Sequence, residues 1–343
     1  MPILSEMHKR ALKIICAVIF IPVLPVQGVV EINFPSLSST HLSGAREYAT
    51  IYESYAKAFG KYYAPALGFS SHLTAPTGKD QLSAFPSLLL GTGLGTSFAN
   101  VKAIKAESNE AVTSSAVPSV LPSLGLSFNL GVGITKKWAA YLSLFPSVEF
   151  AMPASISGTN ASFTYSNVKA RTTYLLVESS FLKPGVSLGG YMNWTRGRFK
   201  LRYDNISSVN YTYDFNGTPA SSNLTYDLES DFSWSIFGTG AEIRAWYDLM
   251  FFSPYIGYGL GLQTGRFDSI VNLNGNLDVT ITPTTESSTG FIRITDSARA
   301  PGVLQRFLFG FEFSFFLIKF GAEAQFETTT GMAGVSAGFS LVF

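Results

Sequence analysis

The sequence predicts an all-β membrane fold: a single antiparallel up-and-down transmembrane β-barrel of about ten strands, with an N-terminal helix as plug or rim piece. Three observations predict it. Charged residues make up only 14% of the 343, against roughly 25% in soluble domains, and mean hydropathy is +0.22. Beyond the first 28 residues no stretch offers the about 20 consecutive apolar residues that a spanning helix needs. Segments of about ten residues alternate apolar and polar with period 2, and the connections between them run long, then short, in turn. In lipid every backbone N–H and C=O must be bonded internally, which leaves helices and closed barrels. Without helices, the barrel follows.

Residues 1–28 read as a secretory signal. His8, Lys9, Arg10 and Lys13 precede the apolar run Ile14 to Val26, and Val26-Gln27-Gly28 offers a small-residue cleavage site. Cys16, the chain's single cysteine, lies inside this segment, so the rest has no thiol chemistry. Residues 29–83 form an N-terminal periplasmic or plug segment. Within it Leu42, Ala45, Ala49, Tyr52, Ala56 and Phe59 recur at steps of three and four, which predicts a helix over 42–60. Glu47 and Glu53 lie towards its start and Lys57 and Lys61 towards its end, matching the helix dipole, and Gly60 marks the stop. Two placements are open: inside the barrel as a plug, or packed on its rim.

The barrel occupies 84–343. Predicted strands cover 85–98, 122–134, 137–151, 184–195, 197–206, 233–247, 250–264, 302–314, 316–327 and 332–343. The clearest is 305–315, where Phe307, Phe309, Phe311, Phe313 and Phe315 share a face, a stripe that suits acyl chains. Gly197 is read as a tight turn. The stretches 99–121, 152–183, 207–232 and 265–301 are the long connections. Asn274-Gly275 suggests a hairpin turn. FTYSNVKARTTYLLV (163–177) is a second hairpin candidate, and if that hairpin enters the membrane the count is twelve. An even count puts both termini on the short-turn, periplasmic side. Glycines such as those in GTGLG (91–95) leave room in a crowded lumen.

A charge on the lipid face costs about 2–4 kcal/mol at the midplane. The strand charges are therefore read as lumen-lining: Arg198, Lys200, Arg202 and Asp204; Glu242 and Arg244; Arg306 and Glu312; Lys319, Glu323 and Glu327. They line either a polar conduit or a closed network. Histidines occur only at 8, 41 and 72, all ahead of the barrel. No His, Cys or carboxylate set suggests catalysis, a metal or another cofactor. A net charge of +1 gives no case for nucleic acid.

The signal segment, the alternation, the loop asymmetry and the terminal Phe343 together resemble a bacterial outer-membrane β-barrel protein. That resemblance implies outer-membrane lipid as solvent. It also implies that Val335, Ala337, Phe339, Leu341 and Phe343 form the signal read by the barrel-assembly machinery. A helix ahead of a barrel is similar to plugged fatty-acid-transport channels, which have more strands. The expected function is passive transport of small solutes through a narrow or gated channel. The alternative is a structural or surface-interaction protein, adhesin-like, acting through the long loops. Neither reading names a solute or surface ligand.

Overall fold

The computed structural model describes residues 28–73, 78–79, 87–107, 122–152, 159–180, 183–206, 211–300 and 302–343. The signal reading, Gly28 apart, lies outside them. Ten strands close a ring, each antiparallel to the next: β2 (Leu88–Phe98), β3 (Pro122–Gly133), β4 (Trp138–Met152), β5 (Thr159–Val177), β6 (Gly185–Ile206), β8 (Thr218–Trp246), β9 (Phe252–Ile281), β11 (Val303–Phe315), β12 (Ile318–Glu327) and β13 (Met332–Val342). The seam joins β13 to β2, with Ala333 opposite Phe98 and Val342 opposite Leu89. Closure leaves no unpaired edge in the band that lipid covers.

Around the ring the outward side chains are apolar and exposed, among them Leu94, Phe128, Leu142, Met192, Ile256, Leu260, Phe309 and Phe339. The opposite, lumenal faces carry Ser127, Asn129, Asn167, Asn193, Gln325 and Ser340, all buried. At the short-turn rim Trp138, Tyr247, Phe251, Phe315, Phe316 and Phe343 are exposed, an aromatic girdle of the kind that marks a lipid–water interface. The chain is a transmembrane β-barrel of the outer-membrane class.

Four strands outrun the membrane most. β5, β6, β8 and β9 have 19, 22, 29 and 30 residues, where about 9–11 tilted residues suffice to cross. β9 pairs with β11 through Leu262 and with β10 (Thr284–Arg299) from Arg266 upward. β1 (Val29–Asn33) and β7 (Tyr211–Phe215) flank this sheet, which rises from the ring as an extension. Much of the expected long connections at 207–232 and 265–301 is therefore strand. Asn274 and Gly275 sit mid-strand, and the hairpin closes at Thr282-Pro283. A Cβ on Gly275 would come 2.0 Å from the Thr225 carbonyl oxygen, so close strand approach explains this glycine.

The count of ten is met by a different set of strands. The predicted strands 184–195 and 197–206 are one strand, β6, and there is no turn at Gly197. The predicted connection 152–183 contains β5. One merger and one addition cancel. The physical cause is a change of solvent along a straight strand. In β6 the even residues Leu188, Met192 and Trp194 face lipid, whereas beyond Gly197 the odd residues Leu201 and Tyr203 face inward. The apolar set changes parity because the apolar surroundings move from outside the sheet to inside it.

What lies inside is the helix α1 (Leu42–His72), which runs past its predicted end at Gly60. Its first half packs on the inner face of β8, β9 and β10. Ala45, Ala49, Tyr52, Ala56 and Phe59 are buried there and Leu42 is half-buried. Phe59 stacks on Phe232 with centroids 4.5 Å apart, and Phe232 on Phe267 at 5.8 Å. A Cβ on Gly60 would sit 3.0 Å from the Ala298 Cβ, so this glycine serves close packing and does not end the helix. From Tyr63 to Ser70 every residue is buried. There the helix has lost its polar face because the ring encloses it. A short helix, α2 (Val101–Glu107), covers α1 from outside the ring's mouth, with Glu107 paired to Lys61 at 2.5 Å.

Val29 pairs with Thr295 in the extension, whereas Phe343 exchanges backbone bonds with Leu88 at the short-turn rim. Val29 and Phe343 therefore lie at opposite ends of the described body, whereas the even strand count leads to the expectation of one side for both termini. The described chain enters on the long-connection side, threads the ring, and then begins the barrel.

Candidate functional site: the plugged lumen

The lower half of α1 and the residues after it meet the barrel wall through polar groups. Ser97 donates to the Ala66 carbonyl at 2.6 Å, and Ser123 and Ser70 hydroxyls lie 2.9 Å apart. Lys169 Nζ donates to the His72 carbonyl at 3.0 Å. Gln263 Nε2 lies 2.9 Å from His72 Nε2, so the amide donates and the ring accepts. Arg244 Nη1 donates to the Gly78 carbonyl at 2.6 Å, and Lys79 Nζ pairs with Asp248 at 2.5 Å. Leu73 seats against two glycines: a Cβ on Gly95 would come 2.4 Å from its Cβ, and one on Gly334 2.5 Å from its Cδ1.

Below α1 most of the inward charges form one cluster. Glu242 accepts from Arg171 at 2.7 Å and Arg244 at 2.5 Å and lies 3.5 Å from Arg306. Arg244 pairs with Glu323 at 2.9 Å, and Arg306 donates to Gln325 at 3.1 Å. Lys319 and Glu312 form a separate pair at 3.1 Å. The ring of Tyr191 gathers three groups: Lys169 Nζ at 5.4 Å from its centroid, the Arg306 guanidinium at 5.0 Å and the His72 ring at 5.1 Å. Lys169, Arg171, Arg244 and Arg306 outnumber Glu242 and Glu323, and all six are buried. A buried surplus of positive charge draws a counter-anion or water.

Of the residues predicted to line the lumen, Glu242, Arg244, Arg306, Glu312, Lys319 and Glu323 point into it. Glu327 is fully buried at the opposite rim and caps the β12–β13 hairpin, accepting from the backbone N–H of Thr329 and Thr330 at 2.7 Å each. Arg198, Lys200, Arg202 and Asp204 are corrected: they project from the outer face of the extension. Arg198 binds Asp231 there and Arg202 pairs with Asp204 at 2.8 Å. Their assignment inward assumed that this stretch crosses lipid, where a charge facing outward is costly; beyond Gly197 the strand stands above the belt and its outer face meets water. Lys169, Arg171, Tyr191, Gln263 and His72 were missed. For Lys169 and Arg171 the signal was present, as the polar partners of Val168, Ala170 and Thr172 in 163–177, which reads as a hairpin and is a single strand.

At the short-turn rim, burial alone would raise the Asp248 carboxyl. Hydrogen bonds from Lys79, Ser179 and Ser253 outweigh it and bring the group down to about 2. In the extension Ser38, His41 and Glu286 meet, a trio that invites comparison with a catalytic triad. Ser38 Oγ and Glu286 both address His41 Nδ1, at 2.8 and 3.2 Å, while Nε2 is buried without a partner. A triad needs one ring nitrogen for each neighbour, so this trio anchors the start of α1. Among the described residues no group of His, Cys, Asp and Glu is placed to hold a metal.

No protein-family model matches the sequence, and no curated protein matches it. Among solved structures it is similar to the translocator domain of the autotransporter NalP from Neisseria meningitidis, at 9% identity, 90% of this chain, 99% of that chain and a TM-score of 0.30. It is similar also to the outer membrane protease OmpT from Escherichia coli, at 10%, 77%, 99% and 0.31. For the Pseudomonas putida toluene transporter TodX the values are 9%, 82%, 96% and 0.24. At these scores the likeness carries no argument, and the class rests on the closed ring and its apolar belt.

Proposed function

We propose that this protein is a gated outer-membrane channel, not an enzyme, in which the lower half of α1, residues 61–72, is the gate. The short-turn rim faces the periplasm in this reading. One observation carries it: the upper half of α1 packs on the apolar face of the extension, whereas the lower half adds to its apolar contacts a set of hydrogen bonds from the barrel wall, from Ser97, Ser123, Lys169 and Gln263, that water or a solute can replace. Pro65, which cannot donate to the helix ladder, and Gly68 lie within the lower half and supply its weak point. Displacing the lower half exposes the Lys169–Arg306 cluster, whose surplus charge favours small anions over cations.

The 2.9 Å separation of the Ser70 and Ser123 hydroxyls supplies the test. Cysteines at both positions close a disulfide between gate and wall. In planar bilayers the reduced S70C/S123C protein conducts like the wild type, with anion preference, and the oxidised protein does not. Equal conductance in both redox states removes the helix as gate. No conductance from any form removes the channel reading. A second reading, a surface-interaction protein, is favoured by the extension, a folded body with its own apolar core beyond the belt. Binding of surface partners that is lost when outward residues of β8–β10 are replaced, with the barrel intact, would support it.

A further inference from the structure

Across β5, β6, β8 and β9 the outward side chains fall in register rows. Val168, Trp194, Phe237 and Thr264 share one row, and the first three, 40–43% exposed, close the apolar belt. The next row towards the extension reads Ser166, Arg196, Ser235, Arg266, and the one beyond it Thr164, Arg198, Ser233, Asp268. Successive rows are about 7 Å apart along the strands. Two arginines and two serines therefore stand directly above the last lipid-facing aromatic. They line a groove of about 860 Å³.

The charges in this groove are not mutually cancelled. Arg198 is held by Asp231, with Nε 2.7 Å from Oδ1, and Arg266 by Asp268. The guanidinium of Arg196 has no carboxylate partner among the described residues. Three guanidinium groups face two carboxylates. Trp194 Nε1 donates to Ser235 at 3.1 Å, which holds the indole at the groove's lower lip. Arg196 and Arg266 stand two strand spacings apart, about 10 Å, each with N–H groups free to fork onto phosphate oxygens.

We propose that this groove binds the phosphate of a lipid headgroup in the leaflet that meets the extension. The depth decides the source. Acyl chains of such a lipid run along Val168, Trp194 and Phe237 while its phosphate reaches Arg196 and Arg266, so one molecule uses both the apolar and the basic row. Free phosphate uses the basic row alone.

Native mass spectrometry in a neutral detergent tests this, with dioleoyl phosphatidic acid against dioleoylglycerol, which has the same chains and no phosphate. The wild type retains the phosphorylated lipid at least about tenfold better, a difference of about 1.4 kcal/mol. R196Q/R266Q loses that preference, and R196K/R266K, which keeps the charge without the fork, retains part of it. R202Q, an exposed arginine farther from the belt, leaves it unchanged. Unheated electrophoresis confirms that each variant is folded, and the lysine variant serves alone if the glutamine one is not. Retention unchanged in both double variants overturns the proposal, as does equal loss in R202Q. Displacement of the lipid by millimolar inorganic phosphate shows a free-anion site and also overturns it.

Discussion

Glu242 is shared by three arginines, Arg171, Arg244 and Arg306, in a part of the lumen closed to solvent. Removing one member of a buried ionic group costs about 3–5 kcal/mol because the remaining charges lose their compensation. Glu242→Ala therefore lowers the unfolding free energy, read from denaturant titration, by an amount of that order, and a value equal to the wild type would mean that water fills the lumen. Asp248 behaves differently. Its folded-state pKa lies below its unfolded one, so its contribution is full above about pH 4 and fades as pH falls towards 2. Asp248→Asn frees Lys79, and trypsin cleaves after Lys79 faster in the variant at pH 7 to 8. Identical cleavage rates would show that the pair does not hold the plug's tail. Both residues were readable as charges in the sequence. Their partners were not, since Arg171 came from a strand read as a connection and Lys79 from outside any predicted element.

Two elements, α1 and β6, each cross a boundary. Each begins in one environment and ends in another, and the residue pattern changes where the surroundings change. For α1 the amphipathic pattern of Leu42 to Phe59 marks a helix with one face on a sheet, and the fully buried run from Tyr63 marks a helix inside a ring. A helix read from periodicity stops where the period fades, which is why Gly60 was taken as its end. Phe59 belongs to the upper half. Phe59→Ala empties an aromatic stack and costs about 3–5 kcal/mol locally. The upper parts of β8, β9 and β10 then exchange amide protons faster, while Ile256 to Leu262 in the belt stay protected. Uniform acceleration through the belt would show that extension and ring unfold as one unit.

At the scale of the whole molecule the chain threads its own barrel. Val29 lies in the extension and Phe343 at the short-turn rim. A membrane-impermeant label therefore reaches an epitope at Gly28 and an epitope after Phe343 from opposite faces of a sealed vesicle. Labelling of both from one face would contradict the threading. This arrangement couples the two bodies: the extension fixes the top of α1 and the ring grips its lower end, above the charged cluster.

The barrel itself was legible in the sequence. Few charges, no spanning helix after residue 28, and strands such as Phe307 to Phe315 with aromatic rings on one face admit few other folds, because lipid tolerates no unpaired backbone. The outward positions of Val335, Phe339 and Phe343 follow from the same logic. What only the tertiary structure decided is which side of each strand is inside. Alternation is symmetric under exchange of its two faces, so Phe199, Leu201 and Tyr203 fit a lipid-facing stripe as well as a core-facing one. Lipid surrounds the ring and α1 fills the extension, so the same period-2 pattern points outward below Gly197 and inward above it. That reversal depends on a helix more than a hundred residues away in the chain, and no local reading of β6 contains it.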